Sequence, residues 1–167
     1  MIVVKLADDS LWINSPVAAS PEDMQMVAQL GPVRYLVAPT PLHAWRLPAW
    51  QAAFPAAEIY GTPANGDAWK SDLDQVLLGG NAFVRELEFF HPKSGTLIFT
   101  DFIQNYRLWG GVPLDIRLSF TRRDLARQSL SKILSWDFDK LIVAHGNCID
   151  RNAKQFVERA FSWARYP

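Results

Sequence analysis

The chain of 167 residues has one cysteine, Cys148, and only three histidines. A lone cysteine excludes an internal disulfide framework and any all-cysteine zinc site. Charge of either sign is not in excess either: 17 lysines and arginines balance 17 aspartates and glutamates. With no basic stripe and a pI near 6.8, a nucleic-acid partner is not expected. Long apolar runs are missing too. None approaches the roughly 20 residues that span a bilayer, so no membrane partner is expected. The opening "MIVVKLADDSLWINSP" puts acidic residues after a short apolar run, unlike the basic-then-apolar order of a signal peptide. These absences together imply a cytoplasmic protein. Near-neutral charge also gives little electrostatic protection against self-association, which leaves a homodimer open.

What is present is an ordinary globular composition, 49% hydrophobic, with seven tryptophans and ten phenylalanines. That is enough to bury one core, and the reading is a single domain over 1–167. Ile2 to Leu6 and Leu11 to Asn14 read as strands joined at "ADDS". Ser20 caps a helix with Pro21 in its first turn and Asp23 three residues after the cap, ended by Gly31-Pro32. "VRYLVAP" then resumes as a central strand, so the segment is a strand–helix–strand unit. "LPAWQAAF" predicts a short helix and "AEIYGTP" a strand into a turn. Residues 64 to 81 carry little pattern and read as loop plus a short helix around Ser71 to Leu78. Phe83 to Phe90 alternates, "HPKSG" is turn chemistry and Thr96 to Thr100 returns, which predicts a hairpin. "NYRLWGGVP" reads as a loop able to move. Thr121 and Asp124 predict a capping box for a helix through Leu134. "KLIVAHGN" is a strand that stops at His-Gly, and Asp150 is expected to cap a last helix with Ala153, Val157, Phe161 and Ala164 on one face. Mixed strand types with helices imply a layered α/β protein.

Three strands end at a residue able to bind metal or move protons: "LVAPTPLH" at His43, "TLIFTD" at Asp101 and "LIVAHG" at His145. The carboxyl ends of strands in layered α/β folds are where ligand sites collect. Imidazole and carboxylate suit zinc, iron or manganese, and an open coordination position would hold a polarised water. Each residue also has a bland role: a histidine before glycine as a turn residue, an aspartate as a cap, His43 as a polar residue between prolines and Trp45. His91 sits in the hairpin turn and reads as structural. Cys148, three residues after His145, lacks an evident neighbouring base.

In their order and spacing these stretches resemble the metallo-β-lactamase-fold superfamily, and more narrowly an uncharacterised branch of it with a degenerate metal-binding loop. "ADDSLWINSP" is similar to its opening hairpin and "LGPVRYLVAPTPLHAWRLPAW" to its strand and metal loop. "HPKSGTLIFTD" resembles the hairpin leading to the metal-bridging aspartate, and "DFDKLIVAHGN" the strand that ends in the last metal histidine. The resemblance implies a compact α/β fold, a four-layer αβ/βα sandwich. The superfamily's loop reads Thr-His-x-His-x-Asp-His. Laid over Thr40 to Arg46 it finds Thr40 and His43 in place, with Pro41, Trp45 and Arg46 standing where a histidine, the aspartate and the last histidine belong. Its middle histidine falls near "GGNA", where Asn81 is the nearest substitute.

Of the usual ligands only His43, Asp101 and His145 carry over. Three residues cannot supply a dinuclear centre that needs three or more on each ion, and Trp45 cannot orient a water as the loop aspartate does. A dinuclear hydrolase is therefore not expected. The cofactor expectation is none, or a single transition-metal ion held by His43, Asp101 and His145. Arg46 offers a metal-free solution, because a buried aspartate needs a cation and guanidinium matches carboxylate geometry. The leading reading is a non-catalytic, ligand-binding member with an unidentified small-molecule ligand. Its further pocket residues are Arg46, Trp45, Asn81 and Asn105, with Trp50 and Trp109 lining a ligand or partner surface. The alternative is a metal-dependent hydrolase-like enzyme with a mononuclear site.

Overall fold

The computed structural model of the chain describes residues 1–62 and 65–165. The contacts divide it into two compact units, Met1–Ala64 and Asn65–Pro167. In the first unit, β1 (Ile2–Lys5) and β2 (Leu11–Asn14) pair antiparallel as the opening hairpin. Asp8 organises the turn by accepting hydrogen bonds from the Ser10 amide and hydroxyl at 3.0 and 2.6 Å. Helix α1 (Pro21–Leu30) carries the expected capping box: Ser20 Oγ accepts from the Asp23 amide, and Asp23 Oδ2 accepts from the Ser20 amide. Replacing Ser20 with alanine leaves first-turn amides without a side-chain acceptor. A loss of about 1 kcal/mol is expected in urea unfolding.

The chain returns as β3 (Val33–Val37), parallel to β2, and after helix α2 (Leu47–Ala53) as β4 (Glu58–Tyr60), parallel to β3. The turn after β4 runs into Pro63 and Ala64, which lie outside the described residues. Sheet order is β1-β2-β3-β4. Val27 of α1 and Leu47 and Trp50 of α2 share one core with Leu11, Ile13 and Leu36 of the strands. Both helices therefore bury their apolar stripe on this sheet. Trp50 is fully buried, and its Nε1 donates to the Val17 carbonyl at 2.8 Å. It is a core residue and does not line a surface, contrary to the sequence expectation.

The second unit begins with the clearest departure from the sequence reading. Residues 74 to 78 are not helical but form strand β5 (Asp74–Leu78), antiparallel to β6 (Glu86–His91). Its side chains are mostly half-buried at a sheet edge, which erases the alternation that marks a one-sided strand. β7 (Thr96–Ile98) completes the expected hairpin with β6. "NYRLWGG" is likewise structured, as a second hairpin of β8 (Gln104–Tyr106) and β9 (Trp109–Gly111) with Leu108 95% exposed at its tip.

The short α3 (Leu114–Leu118) precedes α4 (Arg123–Ser135). Thr121 does not cap α4. The cap is Arg122, without a side-chain capping bond, and Asp124 instead pairs with the Arg122 guanidinium at 2.9 Å. The helix starts one residue later than the capping-box reading requires, so Asp124 falls at its second position. β10 (Lys140–Ile142) pairs parallel with β7, giving sheet order β10-β7-β6-β5. β11 (His145–Gly146) joins β8 and β9 in a three-stranded sheet. The final helices are α5 (Ala153–Ala160) and α6 (Ser162–Arg165). Asn152, with φ +60°, caps α5, and Asp150 lies too far upstream to do so. Ala126, Leu130 and Ile133 of α4 and Val157 of α5 form one core with Leu97 and Phe99. Among the described residues, no helix is long and apolar enough to cross a membrane.

Candidate functional site

In the first unit, the three parallel strands β2, β3 and β4 end at Asn14, Val37 and Tyr60. The loop after β3 makes a single 3-10 turn over Pro41–His43. It is capped by Thr40, whose Oγ1 accepts from the Leu42 amide at 3.1 Å. Proline at the first turn position has no N–H to satisfy, which is why it fits where the superfamily pattern has a histidine. His43 leaves this turn with Nδ1 2.7 Å from Ser15 Oγ, just past the end of β2. Arg46 lies with its guanidinium 4.7 Å from the centroid of the Trp45 ring, and Trp45 is 75% exposed. The loop therefore presents an arginine–aromatic stack where the superfamily carries ligands.

In the second unit, β7 delivers Asp101 and β11 starts at His145. His145 Nε2 lies 3.2 Å from Asp101 Oδ1, within hydrogen-bond distance, with the aspartate side chain 15% and the imidazole 47% exposed. The position of His145 is set by β8. Gly146, at φ +99°, packs so tightly that a Cβ would stand 2.0 Å from the Asn105 carbonyl oxygen. That carbonyl also accepts from the Asn147 amide, and Asn105 Nδ2 donates to the Asn147 carbonyl at 2.8 Å. Asn105 thus clamps the strand that carries His145.

Asn81 is committed to its own turn. Its Oδ1 accepts from the Phe83 and Val84 amides, both at 2.9 Å, and its Nδ2 donates to Ser119 Oγ at 2.6 Å. His91 Nδ1 contacts Ser94 Oγ at 2.8 Å within the hairpin turn, in keeping with a structural role, and Cys148 is exposed.

Two residues that the sequence reading passed over dominate the chemistry under Asp101. Glu86 and Glu88, on the central strand β6, are both fully buried. The period of two puts them on the same face as Phe90, which belongs to the helix-packed core. Glu86 accepts from three consecutive amides, those of Thr100 at 2.7 Å, Asp101 at 3.0 Å and Phe102 at 3.1 Å. A carboxylate in this position replaces the strand partner that the chain loses where it leaves β7. Burial nevertheless lifts the Glu86 carboxyl to about 7, because loss of hydration outweighs those hydrogen bonds, and the charge of Asp101 adds to the rise. Glu88 has neither oxygen in a well-formed hydrogen bond among the described residues. Burial, and then the charge of Glu86, hold it well above the ordinary carboxyl range. Alternation along "VRELEFF" placed both glutamates on one face. The missing signal was that β6 lies between two strands and is covered on both sides.

Neutral imidazole and carboxylate are suitable donors for a transition metal. The dinuclear centre of the superfamily does not fit these residues. Among the described residues, no group of three or more His, Cys, Asp or Glu side chains is placed to hold a metal ion.

A family profile described as "Domain of unknown function (DUF4336)" matches residues 1–69. No curated protein matches the sequence. Solved structures do resemble it. A metallo-β-lactamase from Erythrobacter litoralis superposes with a TM-score of 0.63 at 17% identity, over 97% of this chain and 78% of its own. TMB-1, from a study of substrate and inhibitor binding, gives 0.64 at 14% identity, over 98% and 85%. The metal-soaked Flv1 flavodiiron core from Synechocystis sp. PCC6803 gives 0.61 at 12% identity, over 97% of this chain but only 51% of that protein, so the chain spans about half its length.

Proposed function

We propose that this chain, which has the metallo-β-lactamase fold, is a ligand-binding member without dinuclear hydrolase chemistry, centred on the Asp101–His145 pair. The observation that carries this reading is the 3.2 Å contact itself. In this reading the Asp101 carboxylate accepts from His145 Nε2, and a nitrogen that carries that hydrogen does not offer a lone pair to a cation. The pair offers a bound molecule an anionic oxygen and an oriented imidazole. Pro41, Trp45 and Arg46, at positions where the superfamily carries ligands, support the same reading. A cytoplasmic setting, a small-molecule ligand and a homodimer complete the proposal. The first rests on the exposed, unpaired Cys148.

One observation favours the alternative, a mononuclear metal-dependent enzyme with Asp101 and His145 among the ligands. Two ligands on one tetrahedral ion with bonds of about 2.0–2.1 Å stand roughly 3.3 Å apart, close to the separation of Asp101 and His145. A metal there would supply a polarised water.

Elemental analysis separates the two. Tag-free protein loaded with zinc, iron or manganese and then desalted is expected to retain far less than one ion per chain. Retention of about one ion per chain that is lost in His145→Ala would establish the alternative.

A further inference from the structure

β5 and β7 both run antiparallel to β6, and β10 runs parallel to β7. The loops that leave β5, β7 and β10 therefore emerge at one edge of this sheet, the kind of edge where ligand sites collect. Those after β7 and β10 carry Asp101 and His145. The loop after β5 is Gly79-Gly80-Asn81, and beside it lies a cavity of about 300 Å³, at the small end of the range for small-molecule sites. Strand order β10-β7-β6-β5 sets the ends of β5 and β7 two strand spacings apart, roughly 10 Å.

The walls of this cavity are held in place by β5 and α4. Gly80, at φ +94°, packs so closely on the start of α4 that a Cβ would stand 2.1 Å from the Arg122 carbonyl oxygen. The Gly80 carbonyl accepts from the Arg122 amide at 3.0 Å, which fixes Arg122 beside the loop. Further along α4, Ser129 Oγ accepts from the Gly79 amide at 3.1 Å. On the other side, Leu78 pairs with Glu86, so continuing the register brings Arg85 opposite Gly79. Arg85, Arg122 and Thr121 line the cavity as its polar side chains beside Asn81, while Leu77, Val84 and Leu125 supply apolar wall.

The two guanidinium groups differ. Arg122 is engaged, with Nε and Nη2 donating to the two Asp124 oxygens at 3.1 and 2.9 Å. Arg85 is exposed, and its guanidinium has no hydrogen-bond or ion-pair partner among the described residues. Asp124 balances Arg122, so the cavity keeps one net positive charge, that of Arg85. One positive charge beside apolar wall selects a monoanion with an apolar body. Guanidinium matches the planar carboxylate with paired N–H donors, whereas a phosphate monoester dianion leaves one negative charge unbalanced. We propose that this cavity binds a small molecule carrying one carboxylate and a short apolar body, with the carboxylate on Arg85. The site goes beyond the Asp101–His145 pair and stands whether or not that pair holds a metal.

The test titrates the full chain, labelled with nitrogen-15, with sodium hexanoate at about pH 7.5, where a phosphate monoester is mainly dianionic. The amide signals of Gly79 and Gly80, two of nine glycines, report binding. 1-Hexanol, hexylamine and hexyl phosphate are the comparison probes. Hexanoate is expected to shift both glycines saturably with a Kd of about 1–10 mM, ordinary for so small a ligand. Hexanol and hexylamine bind more weakly, and hexyl phosphate no tighter than hexanoate. Arg85→Gln alters an exposed side chain and is expected to weaken hexanoate about fivefold while leaving the hexanol titration unchanged. Asp124→Asn releases Arg122 and is expected to tighten hexyl phosphate more than hexanoate. No saturable shift at either glycine up to about 50 mM hexanoate, equal binding of hexanol, or unchanged affinity in Arg85→Gln overturns the site. Tighter binding of hexyl phosphate than of hexanoate by the unaltered protein overturns the monocarboxylate class. Metal retention is read separately, so failure of this site and failure of the Asp101–His145 reading give different results.

Discussion

Glu86→Ala is expected to lower unfolding free energy by about 4 kcal/mol, among the largest effects of any single change in this chain. The substitution strands the amides of Thr100, Asp101 and Phe102, all of which now donate to one carboxylate. Each buried donor left without a partner costs about 1–3 kcal/mol, and relief from burying a carboxyl offsets part of the sum. Glu86→Gln keeps one acceptor oxygen but turns an amide N–H₂ toward the same donors, so it should lie between. Urea unfolding at constant m-value measures both. A loss below about 1 kcal/mol for the alanine variant would mean that the turn after β7 does not depend on Glu86.

The second large effect concerns pH and Glu88. A carboxyl whose folded pKa is raised binds more protons folded than unfolded, so its contribution is complete at low pH and fades as pH rises. For Glu86, lifted from 4.5 to about 7, the loss runs between those two values and amounts to roughly 3 kcal/mol. Glu88, raised well above 4.5 by burial and the Glu86 charge, extends the decline to higher pH. Glu88→Met keeps the length of the side chain and removes its titration. The variant is expected to be more stable than the parent, by about 1–4 kcal/mol at pH 8.5 and by less at pH 5, since an unpaired buried ionisable group is readily replaced by a well-packed apolar one. Melts of both proteins at the two pH values give the double difference, in which titrating groups not coupled to Glu88 cancel and the response of Glu86 is included. A margin that shrinks toward pH 8.5 would contradict the assignment.

These two residues also show where the sequence is readable and where it is not. The β2–α1–β3 unit follows from Ser20, Pro21, Asp23 and the apolar run of "VRYLV", because caps and continuous apolar strands are local signals. His43, Asp101 and His145 read as strand ends, but β3, β7 and β10 stop earlier, at Val37, Ile98 and Ile142, and His145 opens the separate strand β11. β5 was not legible: an edge strand with half-buried side chains has no period of its own, and only its pairing with β6 reveals it. Without β5, Glu86 and Glu88 look like the solvent face of a hairpin, whereas they lie on a strand covered on both sides. The Thr121 and Asp150 caps failed because a one- or two-residue shift of the helix start removes the capping geometry while leaving the sequence motif intact. Ser15 gave no signal, since neither a positive φ nor a contact across 28 residues is written in local pattern. Trp45, in the loop before α2, is 75% exposed, whereas Trp50, on the face of α2 that packs on the sheet, is fully buried.

The central claim is that Asp101 and His145 satisfy each other rather than an ion. Anomalous diffraction from crystals grown with excess zinc tests it most directly. The expected map has no anomalous peak between the two side chains and keeps His145 Nε2 in hydrogen-bond contact with Asp101 Oδ1. A full-occupancy peak with Asp101, His145 and a third protein side chain within about 2.0–2.2 Å would contradict it and restore the metal-dependent enzyme.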